Sequence, residues 1–275
     1  MAPNASMSFL DHLEELRRRI IISLIAIVIC TFISLWFKDS AVQIIKRPAD
    51  IPLNAQLANW INRSVGSDGS FMAFLSIVLK AKAVSTVQLN KIGAGEAIMA
   101  FLKIAVTFGV LLASPVVLYQ AWAFIFPALT QQERKFALPL FLIIVFFFLV
   151  GVVFAYLIVL PVVVQFAAGL FANVGVGNLW SIDKYVGFAT GMLLAFGVAF
   201  ELPIVMAFLS RIGVINAQGF RERQRYAVMF IFVAAALLTP ADLLSMLLMA
   251  IPLILLYQLG IFLAFLAEQE PESNA

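Results

Sequence analysis

Apolar runs follow one another along the chain with short polar breaks between them. Most come close to the about 20 residues that cross a hydrocarbon core about 30 Å thick. The pattern predicts six membrane spans: Ile20–Phe37, Ala97–Leu118, Phe136–Leu160, Val186–Ser210, Tyr226–Leu238 and Leu243–Leu266. Alternation with a period of two over about ten residues, which a membrane β-barrel needs, is absent. The fold class expected is therefore an all-α integral membrane protein, read as a single domain over residues 1–275. Before the first span, Ser8 and Asp11 have capping-box spacing, and Phe9, Leu13, Leu16 and Ile20 share one helical face. This predicts a short amphipathic helix over residues 1–19 at the membrane surface. On its polar side Glu14 and Arg18, and Glu15 and Arg19, stand four apart and can pair, each pair worth about 0.2–0.5 kcal/mol. Residues 38–96 form a long loop between the first two spans, with a turn-rich break at Gly66–Ser70 and an apolar stretch, Phe71–Leu79, too short to span. Residues 267–275 read as a short acidic, disordered tail.

Composition agrees: 63% of the 275 residues are hydrophobic and 12% charged, with a mean hydropathy of +1.04. The net charge of +3 matters less than where the basic residues lie. Arg17, Arg18 and Arg19, then Arg134 and Lys135, then Arg211, Arg221, Arg223 and Arg225 all fall on one side of a six-span layout. The positive-inside rule makes that side, which carries both termini, cytoplasmic. The long first loop has basic residues of its own, but its length is near the limit of about 60 residues where the rule fades. No transit peptide precedes the first apolar run and no cleavage pattern follows it, so a bacterial cytoplasmic (inner) membrane is expected. The sole cysteine, Cys30, excludes an intrachain disulfide.

Polar groups inside or between the spans are few enough to weigh singly. Glu133 is the only carboxylate between the second and third spans, at the end of SPVVLYQAWAFIFPALTQQERK. Glu201 lies ten residues before Arg211, roughly 15 Å inside its span. A charge facing lipid at that depth costs at least about 2.5–3.5 kcal/mol, so Glu201 is expected to face a bundle interior or a wet cavity. The alternative is a neutral glutamic acid hydrogen-bonded to a neighbouring helix for packing. Pro203 frees the Ala199 carbonyl and should kink the span there. Lys103 can snorkel to its span's edge. The fifth span, at 13 residues, covers roughly 20 Å, so the bilayer thins or a notch opens, with Asp242 below the membrane surface on the non-cytoplasmic side. The single histidine, His12, has no second ligand for a metal and no nucleophile motif near it. Phosphate-loop, metalloprotease and serine-hydrolase motifs are absent. Neither an enzyme, a cofactor nor a nucleic-acid partner is expected.

Five segments in register resemble the TatC family, the polytopic receptor of the twin-arginine protein translocase: FLDHLEELRRR, SPVVLYQAWAFIFPAL followed by ER, AYLIVLP, AFGVAFELP and LLTPAD. The resemblance implies a concave, glove-like bundle of six helices with both termini cytoplasmic. It also implies a cytoplasmic site for the paired arginines of a signal peptide, to which Glu15, Arg17, Phe124 and Glu133 would belong. A carboxylate accepts two parallel hydrogen bonds from a guanidinium, a geometry lysine cannot copy. On that basis Glu133 would meet one arginine, Glu15 would help with the other, and Phe124 would shape an apolar floor. Glu201 matches the family's intramembrane glutamate, implicated in contact with the membrane helix of TatA or TatB. Pro48 and Asp242 match further recurring positions. Met246 departs, standing where many members carry a polar residue, and the first loop is longer than usual. The implied function is export of folded proteins driven by the proton motive force, by a homo-oligomer working with TatA and TatB in the lipid bilayer. A proton-coupled secondary transporter with Glu201 as its proton site is the alternative, although no internal repeat supports it.

Overall fold

The computed structural model describes residues 9–50, 89–90, 93–125, 137–164, 180–239 and 243–268. Five helical stretches are long and apolar enough to cross a membrane: His12–Trp36, Gly95–Phe124, Pro139–Val164, Ile182–Arg211 and Ser245–Glu268. Gln224–Leu238 is a shorter apolar helix. At 15 residues it is about 22 Å long, short of the about 30 Å of hydrocarbon.

Helix α1 (Phe9–Trp36) joins the expected surface helix and first span without interruption. No glycine or proline lies between Phe9 and Trp36, so nothing in the backbone ends the helix at Arg19. Most of its large apolar side chains are exposed, among them Leu24, Ile25, Val28, Ile29 and Phe32. That pattern suits a helix whose surroundings are lipid. One face packs along α3 (Ala94–Ile125), the most extensive helix contact among the described residues. The pair is antiparallel: Arg19 lies against Gln120, and Ser34 Oγ is 2.7 Å from the Ala105 carbonyl. A Cβ at Gly109 would stand 2.7 Å from Thr31 Cα, so glycine there is what lets the backbones close.

Helix α2 (Lys38–Asp50) occupies the start of the long first loop. Helix α4 (Ala137–Phe154) widens into a π turn over Ala155–Val159 and continues through residues 160–164. There the Leu160 N–H reaches the Ala155 carbonyl, one residue before Pro161, which has no N–H to give. The fourth span is α5 (Ile182–Ala199) followed by α6 (Leu202–Arg211). Between them the Glu201 N–H turns back to Val198 at 3.1 Å, and Pro203 cannot donate to Ala199, so the helix breaks at the expected place. Two-residue strands β1 (Leu89–Asn90) and β2 (Trp180–Ser181) pair in parallel just ahead of α3 and α5, which the apolar pattern did not foretell. Apart from this pair, the regular structure of the described residues is helical.

At the α1 N-terminal end of the bundle, α7 (Ala217–Glu222) leads into α8 (Gln224–Leu238). Gly213, at φ +74°, makes the left-handed turn out of α6 that lets Val214 donate back to Leu209. Helix α9 (Leu243–Glu268) packs along α6, with Gly260 facing Met206 and Pro203. Ala267 and Glu268, assigned to the tail from the sequence, belong to this helix, and Glu268 accepts from Ser210 Oγ at 2.6 Å and from the Ala217 N–H. The main core gathers Tyr185, Met192, Phe196, Leu160, Val163 and Met249 around α5. A smaller one, Trp122 with Ile144 and Ile204, fixes the end of α3 against α4 and α6.

Candidate functional site

Two helical faces meet at the α1 end. Residues three and four apart share a face, so His12, Glu15 and Arg19 line one side of α1, and Gln120 and Phe124 one side of α3. The imidazole of His12 stacks on the Phe124 ring, centroids 4.3 Å apart and planes 18° from parallel. Arg19 donates through Nε to Glu15 Oε1 at 3.1 Å and through Nη2 to the same oxygen, while Nη1 donates to Gln120 Oε1 at 3.4 Å. Glu15 therefore sits between two contacts that join the helices, its side chain 18% exposed. Its other oxygen, Oε2, is buried and accepts no hydrogen bond among the described residues.

Of the residues the sequence nominates for this rim, the fold brings Glu15 and Phe124 into one cluster. Arg17 is exposed and stands two residues from Glu15, roughly 200° round the helix, so it points away from that cluster. Glu14 and Arg18 are exposed as well. Glu133 and Asp242 lie outside the described residues, as does Phe71–Leu79. His12, dismissed from the sequence as a metal ligand, has a stacking role instead. Its aromatic ring and that of Phe124 were the readable signal. Gln120 and the register that brings it to Arg19 depend on how α1 lies on α3, which no local pattern encodes.

Glu201 is buried at the break between α5 and α6, with 9% of its surface exposed. Neither carboxylate oxygen has a hydrogen-bond partner of good geometry among the described residues, although the group lies against the Phe148 backbone of α4. Gly151 and Gly197 allow that close approach: a Cβ on Gly151 would stand 2.6 Å from the Phe196 carbonyl oxygen. The packing alternative, a glutamic acid bonded to a neighbouring helix, has only this approach to the Phe148 backbone among the described residues.

At the opposite end several polar groups pair between elements. Pro48 cannot donate to the carbonyl of Ile44, four residues back. Tyr156, in the wide turn of α4, donates its hydroxyl to that oxygen at 2.8 Å, and Tyr185 of α5 donates to Ile45 O at 2.7 Å. Pro48 is thus the reason the Ile44 carbonyl is free for Tyr156, a consequence the four-residue rule could have supplied, whereas Tyr185 adds a second bond to Ile45. Lys103 does not snorkel alone: its Nζ lies 2.8 Å from Asp183 Oδ1 on α5. Ser181 Oγ donates to Glu96 at 2.8 Å nearby.

These features define a helical, multi-pass membrane protein with an acidic and aromatic cluster at one rim. A family model described as "Sec-independent protein translocase protein (TatC)" matches residues 11–252. The TatC of Desulforapulum autotrophicum is 34% identical over 97% of this chain and 87% of its own length. The TatC of Aquifex aeolicus is 35% identical over 96% and 97%. A solved structure described as the twin arginine translocase receptor TatC superposes with a TM-score of 0.75 at 35% identity, covering 93% of this chain and 99% of that one. The chain belongs to the TatC family. It is a six-span, non-enzymatic component of the Sec-independent protein translocase of the inner membrane.

Proposed function

We propose that this protein is the twin-arginine signal-peptide receptor and core subunit of its translocase, exporting folded proteins at the expense of the proton motive force. The observation that carries the reading is the rim cluster, in which Glu15 and the His12–Phe124 stack stand together on two helices. An acidic group beside an aromatic surface suits a guanidinium, which pairs with carboxylates and lies on rings. Both termini face the cytoplasm, placing this rim where signal peptides arrive, as the basic loops support. Glu133, eight residues beyond the end of α3, meets one arginine, and Glu15 the other. Glu201 is the intramembrane contact for a polar residue of the TatA or TatB helix, and the complex contains several copies of this chain.

The test is binding of a twin-arginine signal peptide to the purified protein, wild type against Glu133→Gln, with a twin-lysine peptide as control. Losing a charge-assisted hydrogen bond removes about 1.5–3 kcal/mol, so the variant should bind at least about tenfold more weakly. Its preference over the lysine peptide should shrink with it. Binding indifferent to both changes removes Glu133 from the site and the receptor reading with it.

A further inference from the structure

We propose that Arg19, held by Gln120, is a positioning residue that orients Glu15 and so sets the arginine-over-lysine discrimination at one of the two signal-peptide arginines. The inference rests on the receptor reading above and goes beyond it to a residue and an atom. A guanidinium facing a carboxylate freely tends to use both oxygens in a parallel fork. Arg19 does otherwise: its Nε–H and an Nη2–H converge on Oε1 alone. The third edge of the guanidinium is held from the other helix, through Nη1 to Gln120 Oε1. Arg19 is thereby fixed on two sides, its side chain 21% exposed. The carboxylate it grips presents Oε2, a buried acceptor with no partner among the described residues. Buried acceptors are rarely left unmatched, and such an oxygen has a strong preference for a donor.

The surroundings say which donor fits. Glu15 stands one helical turn from His12, whose ring lies on Phe124, so a cation reaching Oε2 passes an aromatic surface. An arginine can give Oε2 a directed N–H while its plane lies along those rings, whereas a lysine ammonium supplies a point charge without a plane. Were Arg19 absent, Glu15 could turn and take an incoming cation by either oxygen, and the requirement for a planar donor would relax. Gln120 is the second support, because it prevents Arg19 from following Glu15 as the side chain moves.

The experiment uses the full-length protein in lipid nanodiscs and four fluorescent signal peptides carrying Arg-Arg, Lys-Arg, Arg-Lys and Lys-Lys. Wild type is expected to prefer Arg-Arg over both singly substituted peptides. Arg19→Gln should lower Arg-Arg affinity about tenfold and abolish the preference for arginine at one position, keeping it at the other. Arg19→Lys should also lose that preference, since restoring charge does not restore the double grip on Oε1. Gln120→Leu should weaken it at the same position. A uniform loss for all four peptides makes Arg19 merely structural and overturns the proposal. Unchanged binding leaves Arg19 without a role, tighter binding makes it a competitor for Glu15, and either overturns the proposal. Full rescue by lysine at position 19 does the same. If wild type fails to distinguish Arg-Arg from Lys-Lys at all, the receptor reading has failed first, and that outcome is separable from the others.

Discussion

The two ends of this bundle differ in how far their polar groups are matched. At the end that holds α2, polar groups pair between elements: Tyr156 and Tyr185 serve carbonyls of α2, Lys103 meets Asp183, and Ser181 meets Glu96. At the end that holds the start of α1, Arg17 and Arg18 are exposed, and Glu15 keeps one buried oxygen unmatched among the described residues. Polar groups near lipid cost free energy unless they are paired. Pairing them across helices braces the fold, and leaving one acceptor open prepares a surface to bind. Both uses meet at the α1 end, where Glu268 pairs with Ser210 and Ala217 on other elements while Glu15 keeps an oxygen open.

This contrast can be broken experimentally, and the largest stability effect is expected at the braced end. Tyr185→Phe removes a fully buried hydrogen bond to the Ile45 carbonyl and should cost about 1.5 kcal/mol, at the top of the range for a net hydrogen bond. Thermal unfolding in detergent would read it, and the same change at the more exposed Tyr156 should cost less. Lys103→Met comes next: the pair is partly exposed, at 37% and 25%, so stranding Asp183 should cost about 1 kcal/mol, between surface and buried pairs. Adding Asp183→Leu should recover most of that loss, and failure to recover would mean Lys103 braces α3 by packing alone. The smallest stability change is expected at the open end, where Glu15→Gln still offers Arg19 an oxygen and should cost less than about 1 kcal/mol while weakening signal-peptide binding severalfold. A large stability loss there, with binding intact, would reverse the contrast.

The spans themselves were legible, because hydrophobic runs of membrane length leave few alternatives. The break at Glu201 was legible too, since Pro203 removes a specific hydrogen bond. Continuity of α1 was not, since a charge cluster such as Arg17–Arg19 marks an interface and says nothing of whether the helix stops there. The Lys103–Asp183 and Arg19–Gln120 contacts were also beyond reach. Each joins helices far apart in sequence, and their register is set by close approaches such as Gly109 on Thr31. Tyr156 and Tyr185 were missed for a simpler reason: each tyrosine hydroxyl needs a partner when buried, and the freed carbonyl at Ile44 was there to be inferred.

The partnership of α1 with α3 also bears on how the chain is made. Gln120 leaves the ribosome roughly 100 residues after Arg19, and at about 5–20 residues per second the first helix waits some seconds for its neighbour. During that interval Glu15 and Arg19 have each other, four residues apart on one helix. The same contact that later orients a carboxylate for a ligand can thus shield both charges while the nascent helix is alone in the bilayer.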